Sequence, residues 1–348
     1  MKVAIHYEPL NGISMRLKRY EKILKYNNFT AVFVSSSSQN FINQLEGIDA
    51  LIWYVGLADV SKQPYFNWIN VLENDLGINC FPSSNATWSF DNKLRQIHQM
   101  TASGIPFVKS RVLYQKEEAI KLTNLINYPI IFKLSAGAGS FNVIKVNNKK
   151  TLINYVNLMF GKGVLPNKLQ HSLGYSFRKE FLSKLVKLRA KFLGRQIDYR
   201  DLIPDWNKQS NYLLIQEFLP NNEFDTRVTT IGNRAFAFRR FNRKGDFRSS
   251  GSGIIDYNAK AIDLDCVKLA LEISKKMNFE SMAYDFLYNK EGNPVICEYS
   301  YGYNDEAIYN CSGYWTEDLK FVMGNFWPQF LQLKDLLKLE DLKQPESL

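Results

Sequence analysis

The sequence predicts an α/β protein, and two patterns carry this prediction. Short apolar runs rich in β-forming residues at 2–7, 30–35 and 48–55 alternate with helix-like stretches, and such βαβ alternation is typical of a parallel sheet. Further along, the runs 281–288 and 294–301 are joined by turn residues, which indicates an antiparallel hairpin. With 348 residues, the chain is long enough for two or three subdomains with a sizeable shared core.

A helix is expected to follow the parallel-sheet segment. Ser89 is a plausible N-cap, and Gly104 would stop the helix after about Ser103. Lys93 would then lie in the first turn of this helix.

A glycine-rich turn between two apolar runs is the most informative motif of the chain. In YPIIFKLSAGAGSFNVIKV, residues 128–146, the first run ends on Lys133 and the turn contains Gly137, Gly139 and Ser140. Glycines allow backbone N–H groups to surround phosphate oxygens, and a lysine supplies a point charge. The motif therefore predicts a phosphate site, with a plain hairpin turn as the alternative. It is not a Walker A loop, because no Lys-Ser or Lys-Thr follows its glycines.

Two carboxylates, Asp285 and Glu298, lie on the two strands of the predicted hairpin. Antiparallel pairing would bring them together within a mostly apolar sheet, where like charges repel unless a cation lies between them. Hard divalent cations prefer oxygen ligands of this kind. The pair therefore predicts a metal site, and the alternative is that both carboxylates face solvent.

Arginines and a loop of small residues precede this hairpin. Asp225 and Arg227 are two residues apart, so they share one face of a strand, and Arg240 follows in the next run. Arg248 lies in the loop 245–253, GDFRSSGSG. Arginines beside such a loop form an anion-binding environment.

Taken in order, these motifs resemble the ATP-grasp superfamily, above all its branch of ribosomal-protein glutamate ligases and glutathione-synthetase-like enzymes. That branch has Gln-Glu-aromatic, Asp-x-Arg, a later arginine, Gly-Asp-Phe-Arg-Ser, Asp and Glu-x-Asn. This chain has Gln216-Glu217-Phe218, Asp225-Thr226-Arg227, Arg240, Gly245-Asp246-Phe247-Arg248-Ser249, Asp285 and Glu298-Tyr299-Ser300. Ser300 thus replaces the asparagine metal ligand, and Asn304 is an alternative oxygen donor.

The resemblance implies an ATP-grasp fold that a Rossmann-like domain precedes. We expect a Rossmann-like domain at 1–88, an N-terminal ATP-grasp part with its lid at 89–218, and a C-terminal catalytic subdomain at 219–348. It also implies the roles of individual residues. ATP would be bound by Lys93, Lys133, Gly137, Gly139, Ser140, Gln216, Glu217, Phe218, Leu219 and Asp225; Mg²⁺ or Mn²⁺ by Asp285, Glu298 and Ser300; and the catalytic residues would be Arg240, Arg227 and Arg248.

The resemblance further implies a ligase that activates a carboxylate with ATP and joins it to an amine through an acylphosphate. The segment Tyr299–Tyr303 departs from the ending typical of the branch, so we expect a carboxylate on another small molecule, a peptide or a sugar acid. Two alternatives stay open. One is a kinase-like enzyme that phosphorylates a small molecule, and the other is a nucleotide-binding protein whose metal site is weakened at Ser300.

Most of the net charge of +10 is concentrated in an insertion at residues 161–212. This segment has eleven Lys or Arg and four Asp or Glu, whereas the remaining chain has 33 and 30. Apolar residues at helical spacing from Phe177 to Phe192 indicate an amphipathic helix with a basic face. A solvated face is one interpretation, and contact with an anionic substrate or a membrane surface is another. Nucleic acid is not expected as a partner, because no nucleic-acid-binding motif accompanies these charges.

Targeting and redox signals favour a cytoplasmic protein. The N-terminus begins a strand and lacks the apolar stretch of a signal peptide, and no run approaches the roughly 18 apolar residues of a membrane span. Cysteines occur without a CxxC pair or metal-binding spacing, at Cys80, Cys266, Cys297 and Cys311. The oligomeric state is left open.

Overall fold

The computed structural model describes residues 1–9, 12–137, 142–166, 169 and 207–348. The chain divides into two compact units. Unit 1 comprises Met1–Gly56, Ser61–Val108 and Leu219–Leu348, and unit 2 comprises Leu57–Val60 and Lys109–Phe218. The domain boundaries expected from the sequence stay a prediction.

Unit 1 begins with the parallel sheet that the βαβ alternation predicts. Its strands follow the order β2-β1-β3-β4, and every neighbouring pair is parallel. The strands are β1 (Lys2–His6), β2 (Thr30–Val34), β3 (Ala50–Ile52) and β4 (Asn79–Phe81). The connecting helices are α1 (Met15–Tyr26), α2 (Phe41–Gln44), α3 (Asp59–Asn70), which continues into a π-helical turn at Val71–Asp75, and α4 (Ser84–Thr87). All three residues of β3 are buried, as expected for a strand covered on both faces.

The next helix, α5 (Lys93–Ala102), begins later than the sequence suggests. Its N-cap is Asn92, whose side chain accepts a hydrogen bond from the Arg95 backbone N–H at 3.1 Å. Ser89 was expected to cap this helix, and that prediction is wrong. The preceding Asp91 has a φ of +48°, which a right-handed helix does not allow, so the helix cannot extend back to Ser89. Lys93 is therefore the first residue of α5.

Unit 2 contains an antiparallel sheet in the order β5-β8-β6-β7. Its strands are β5 (Ser110–Leu113), β6 (Ile130–Lys133), β7 (Val143–Val146) and β8 (Leu213–Glu217), and its helices are α6 (Lys116–Leu122) and α7 (Lys149–Met159). Helix α7 packs on the sheet, where the Tyr155 and Phe132 rings stack with their centroids 4.6 Å apart. Strands β6 and β7 are the two apolar runs that flank the glycine-rich turn.

Unit 1 also contains a larger, antiparallel sheet in the order β13-β12-β9-β10-β14-β15, with β11 paired to β10. Its strands are β9 (Phe224–Ile231), β10 (Arg234–Phe241), β11 (Ile255–Asp256), β12 (Ser281–Tyr288), β13 (Pro294–Ser300), β14 (Gly313–Trp315) and β15 (Phe321–Met323). The helices here are α8 (Leu264–Met277), α9 (Asp305–Tyr309) and α10 (Pro328–Leu337), with a 3₁₀ turn at Ala259–Ala261.

An apolar core within unit 1 joins its first and last elements. Leu333 and Leu337 of α10 belong to the same buried cluster as Tyr20, Ile23 and Leu24 of α1. Each fully buried side chain of this size stabilises the fold by about 1.5–3 kcal/mol relative to an exposed one. This core thus fixes the parallel sheet to the segment that follows β13. Among the described residues, no helix combines the length and the apolar character needed to cross a membrane.

Candidate functional site

One face of the antiparallel sheet in unit 1 presents a group of charged side chains. Across three neighbouring strands, Glu298 is directly opposite Asp285, and Asp285 is directly opposite Arg227. In a second row, Asp225 is opposite Arg240. Directly opposed residues share a face, and so do residues two apart on one strand. The register therefore brings together the acidic pair and two of the arginines that the sequence singles out.

Arg227 and Arg240 hold Asp285 between them. The Nε and one terminal nitrogen of Arg227 donate to the two oxygens of Asp285 at 2.7 and 2.8 Å. Arg240 donates in the same two-pronged manner to Asp225, at 2.7 Å for both bonds, and its terminal nitrogen is also 2.8 Å from Asp285. Such paired geometry is the strong form of an arginine–carboxylate contact. Two arginines and two aspartates thus form one closed, charge-balanced network.

Electrostatics keeps Asp285 ionised in this network. Burial opposes its charged form, but the guanidinium groups of Arg227 and Arg240 outweigh burial and hold the pKa of this carboxyl well below its usual range. The same carboxylates raise the pKa of Arg240 against the effect of its own burial. Asp285 is therefore an anion wherever the protein is folded near neutral pH.

Glu298, the other member of the acidic pair, is bound by Lys93. The Nζ of Lys93 is 3.1 Å from a carboxylate oxygen of Glu298. The Lys93 side chain is only 5% exposed, and burial alone would lower its pKa, but Glu298 and Asp91 reverse this and raise it. Lys93, the first residue of α5, thus lies beside the acidic pair, although Glu298 is far from it in the sequence.

Ser300 follows Glu298 on the same face of β13, and hydrogen bonds hold the residues after it in place. Its hydroxyl accepts a hydrogen bond from the Gly302 backbone N–H at 3.0 Å. The Tyr301 hydroxyl bonds to both the N–H and the carbonyl of Val55, at 3.0 and 2.9 Å, just beyond β3. Asn304 caps α9, where its side-chain oxygen accepts two backbone hydrogen bonds. The Asn304 oxygen already accepts two hydrogen bonds and the Ser300 oxygen accepts one, which favours Ser300 as the additional ligand.

Arg248 lies in the loop that follows β10. Its guanidinium is bound by Asp246, with a nitrogen–oxygen distance of 2.6 Å. Asp246 and Arg248 are both partly exposed, and the pair stays within the loop that follows β10. Among its described contacts, none reaches the acidic pair.

Lys133 and Gly137 lie in unit 2, where the hairpin of β6 and β7 positions them. Lys133 is the last residue of β6 and only 5% exposed. Gly137 has a φ of +135°, and a side chain there would collide with that of Asn142. The Asn142 carboxamide donates to the Ala136 carbonyl at 2.9 Å and closes the base of the turn. Gly139 and Ser140 lie outside the described residues.

Gln216, Glu217 and Phe218, which the resemblance assigns to ATP binding, lie at the end of β8 and directly after it. Gln216 is buried and donates to the Ser110 hydroxyl at 3.0 Å, and the Glu217 backbone N–H donates to the Lys109 carbonyl at 2.8 Å. The sequence did not point to Lys145, whose Nζ lies 3.7 Å from the centroid of the Phe218 ring. Its position on the second strand of the glycine-rich hairpin is the signal that would have found it.

Leu219 belongs to unit 1 and lines a cavity there. The other residues that line this cavity come from the loop before β9, from the end of β12 and from the turn that follows it, among them Asn222 and Tyr288. The Asn222 side chain ties the first two of these segments together by bonding the Tyr288 backbone N–H and carbonyl at 2.8 and 3.0 Å.

The acidic pair suits Mg²⁺ better than a metal held by protein ligands alone. In the part of the chain that the structure describes, no group of three or more His, Cys, Asp or Glu side chains could hold a metal ion. Mg²⁺ usually uses one or two carboxylates and completes its sphere with water and substrate phosphates. Asp285 and Glu298, with the Ser300 hydroxyl beside them, match that donor set in number and kind.

Comparison with known proteins adds an independent finding. A family model described as the RimK-like ATP-grasp domain matches residues 193–309, which include the acidic pair and the arginines of the sheet face. Comparison with curated proteins found no significant match.

Solved structures resemble the chain over most of its length. A RimK domain ATP-grasp protein from Sphaerobacter thermophilus DSM 20745 is 12% identical, with 86% of this chain and 90% of that one covered and a TM-score of 0.50. The N5-carboxyaminoimidazole ribonucleotide synthetase of Thermotoga maritima is 11% identical, with 97% and 76% covered and a TM-score of 0.59. The ATP-grasp ligase PsnB, in complex with a minimal precursor, Mg and ADP, is 13% identical, with 89% and 92% covered and a TM-score of 0.50. At such identities the likeness concerns the fold.

Proposed function

We propose that this chain, a protein of the ATP-grasp superfamily, is an ATP- and Mg²⁺-dependent ligase that joins a carboxylate to an amine. The observation that carries the proposal is the single sheet face on which Asp285 and Glu298 lie opposite each other beside Arg227 and Arg240. Phosphoryl transfer depends on positioning and on electrostatic stabilisation, and oxygen ligands for a divalent cation and guanidinium groups for phosphate both contribute to the latter. PsnB, a ligase of the same fold, is described with Mg and ADP, which supports the choice of cofactor.

The proposed reaction has two steps. A carboxylate oxygen of the first substrate attacks the γ-phosphorus of ATP, and ADP leaves. The amine nitrogen of the second substrate then attacks the acyl carbon, phosphate leaves, and the nitrogen loses a proton. Activation is needed because a carboxylate does not react with an amine directly, and phosphate is a far better leaving group than oxide.

Each group of residues has a role in this scheme. Lys93 and Lys133 bind the phosphates, and Arg240, with Arg227, stabilises the charge on the transferring phosphoryl group. One preorganised donor of this kind is worth about 3 kcal/mol in the transition state. Mg²⁺ held by Asp285 and Glu298 would neutralise the negative charge that develops on the phosphates.

The remaining predicted residues complete the site. The chain at β8 would contact the adenine ring, and the glycine-rich turn would exclude water from the acylphosphate. Asp225 would act by orienting Arg240, with which it forms two hydrogen bonds. Arg248 would bind a substrate anion from its loop.

ADP release against pooled carboxylates, amines and sugar acids tests this function, followed by mass spectrometry of the product. A ligase releases ADP only when an amine is present and forms an amide. ADP release without an amine, together with a phosphorylated product, would identify a kinase-like enzyme instead. Nucleotide binding without turnover in any pool would contradict an enzymatic role and favour a nucleotide-binding protein.

A further inference from the structure

The charges of the proposed metal and phosphate site in unit 1 are all paired with one another. Asp285 is bound by Arg227 and Arg240, and Glu298 is bound by Lys93, at nitrogen–oxygen distances between 2.7 and 3.1 Å. The residues that would hold the cation are thus in contact with the residues that would hold the phosphates. Both oxygens of Asp285, two nitrogens of Arg227 and the Nζ of Lys93 are thus engaged in ion pairs within the site.

A dication cannot simply be added to this arrangement. Both oxygens of Asp285 already accept hydrogen bonds, three in all, from two guanidinium groups within 3 Å. Two positive charges at that distance repel Mg²⁺ from the carboxylate. Phosphate faces the converse obstacle, because two of the three guanidinium nitrogens of Arg227, its Nε and one terminal nitrogen, donate to Asp285.

We propose that metal and nucleotide bind this site cooperatively, as one complex that exchanges partners with the internal ion pairs. The proposal rests on the proposed function. Mg²⁺ takes the carboxylates of Asp285 and Glu298, while the phosphates take the cations that these carboxylates release, Arg227 and Lys93. Arg240 keeps its two bonds to Asp225 and gives up only the contact that it shares with Asp285.

The cost of separating buried charges explains why each ligand should bind more tightly in the presence of the other. Nucleotide alone would draw Arg227 away and leave Asp285, which is 9% exposed, as a buried charge with less compensation. Mg²⁺ alone would leave Arg227 and buried Lys93 without the carboxylates that they bind. When the complex binds, every charge that loses a partner gains another, so the exchange is nearly balanced.

A crystal structure of the protein with Mg²⁺ and ADP tests the exchange directly. We expect Mg²⁺ within about 2.5 Å of an oxygen of Asp285 and of Glu298. We also expect the Nε of Arg227 and the Nζ of Lys93 to have left these carboxylates for the phosphates. A complex in which Mg–ADP is bound while the 2.7 Å and 3.1 Å ion pairs persist would overturn the proposal.

Calorimetry provides a second test that does not depend on activity. Without Mg²⁺, Asp285→Asn should bind ADP about tenfold more tightly than the wild type, because the substitution releases Arg227 in advance. Glu298→Gln should do the same through Lys93, and its partly exposed side chain makes this variant the safer one for folding. Both variants should lose most of the increase in ADP affinity that Mg²⁺ gives the wild type.

The chain offers a matched control for these variants. Asp256 forms an ion pair with Arg239, which is next to Arg240 on β10 and therefore points to the opposite face of the sheet. Asp256→Asn removes a carboxylate of the same sheet and also releases an arginine, but it should leave ADP affinity unchanged. An equal increase in Asp256→Asn would show that overall charge, and not the exchange, explains the effect.

Failure of the exchange differs from failure of the proposed function. If the wild type binds no ADP with or without Mg²⁺, the function itself is wrong. If it binds Mg–ADP but neither Asp285→Asn nor Glu298→Gln gains affinity for free ADP, the function stands and the exchange is wrong.

Discussion

His6, the last residue of β1, should make the stability of this protein depend on pH. Its side chain is 3% exposed and stacks on Trp53, with ring centroids 3.8 Å apart. Its Nε2 lies 3.0 Å from both the backbone nitrogen and the hydroxyl of Ser36, and its buried Nδ1 has no hydrogen-bond partner among the described residues. Burial lowers the pKa of His6 from 6.5 to about 3. The folded protein therefore requires the neutral ring.

The sign and size of the effect follow from the two pKa values. The unfolded chain binds a proton at His6 below about pH 6.5, whereas the folded protein does not until about pH 3. The free energy of unfolding must then fall as the pH falls through this window. Between pH 7 and pH 5 the loss from His6 alone is about 2 kcal/mol.

Urea denaturation of the wild type and of His6→Gln at pH 7 and pH 5 measures this loss. Glutamine keeps an acceptor near Ser36 but does not titrate, so the loss of stability should be about 2 kcal/mol smaller in the variant. Other titratable groups contribute equally to the pH dependence of stability in both proteins, so their contributions cancel in the comparison. His98→Gln, at an exposed position of α5, controls for the removal of a histidine elsewhere. If His6→Gln loses as much stability as the wild type, the reasoning is wrong.

Two further predictions concern the site, and a third concerns the basic insertion. Lys133→Ala should weaken ATP binding about tenfold or more without unfolding the protein, since a hydrogen bond to a charged group contributes about 1.5–3 kcal/mol. Unchanged ATP affinity by calorimetry would contradict the role of Lys133 in phosphate binding. Glu298→Gln should abolish ligase turnover while nucleotide still binds, and steady-state ADP release at wild-type rates would exclude it as a metal ligand. The third concerns the basic insertion, where Lys184, Lys187 and Lys191 lie outside the described residues. Their joint replacement by glutamine should leave ATP affinity unchanged. It should raise KM for an anionic substrate or weaken binding to membrane vesicles, and either effect should be larger at low salt, where the charges are screened less. A loss of ATP affinity would place the insertion in the nucleotide site.

Local patterns were sufficient for several elements of this fold and for part of the site. Alternation with period two placed Asp225 and Arg227 on one face of β9, and the short turn between β12 and β13 brought Asp285 opposite Glu298. Both relations depend on residues near each other in sequence, where geometry leaves few choices. Helix α5 was found for the same reason, although the left-handed backbone of Asp91 moved its start beyond Ser89.

The sequence by itself determined which residue types are present, in which order, and on which strands they lie. Only the tertiary structure decided how their charges are paired. That Arg227 and Arg240 both bind Asp285 depends on the register of three strands, and that Lys93 binds Glu298 depends on how α5 packs beside β13. Each buried charge is paired with whichever opposite charge the fold brings within hydrogen-bond distance. The choice between long-range partners therefore depends on interaction energies that no local sequence pattern contains.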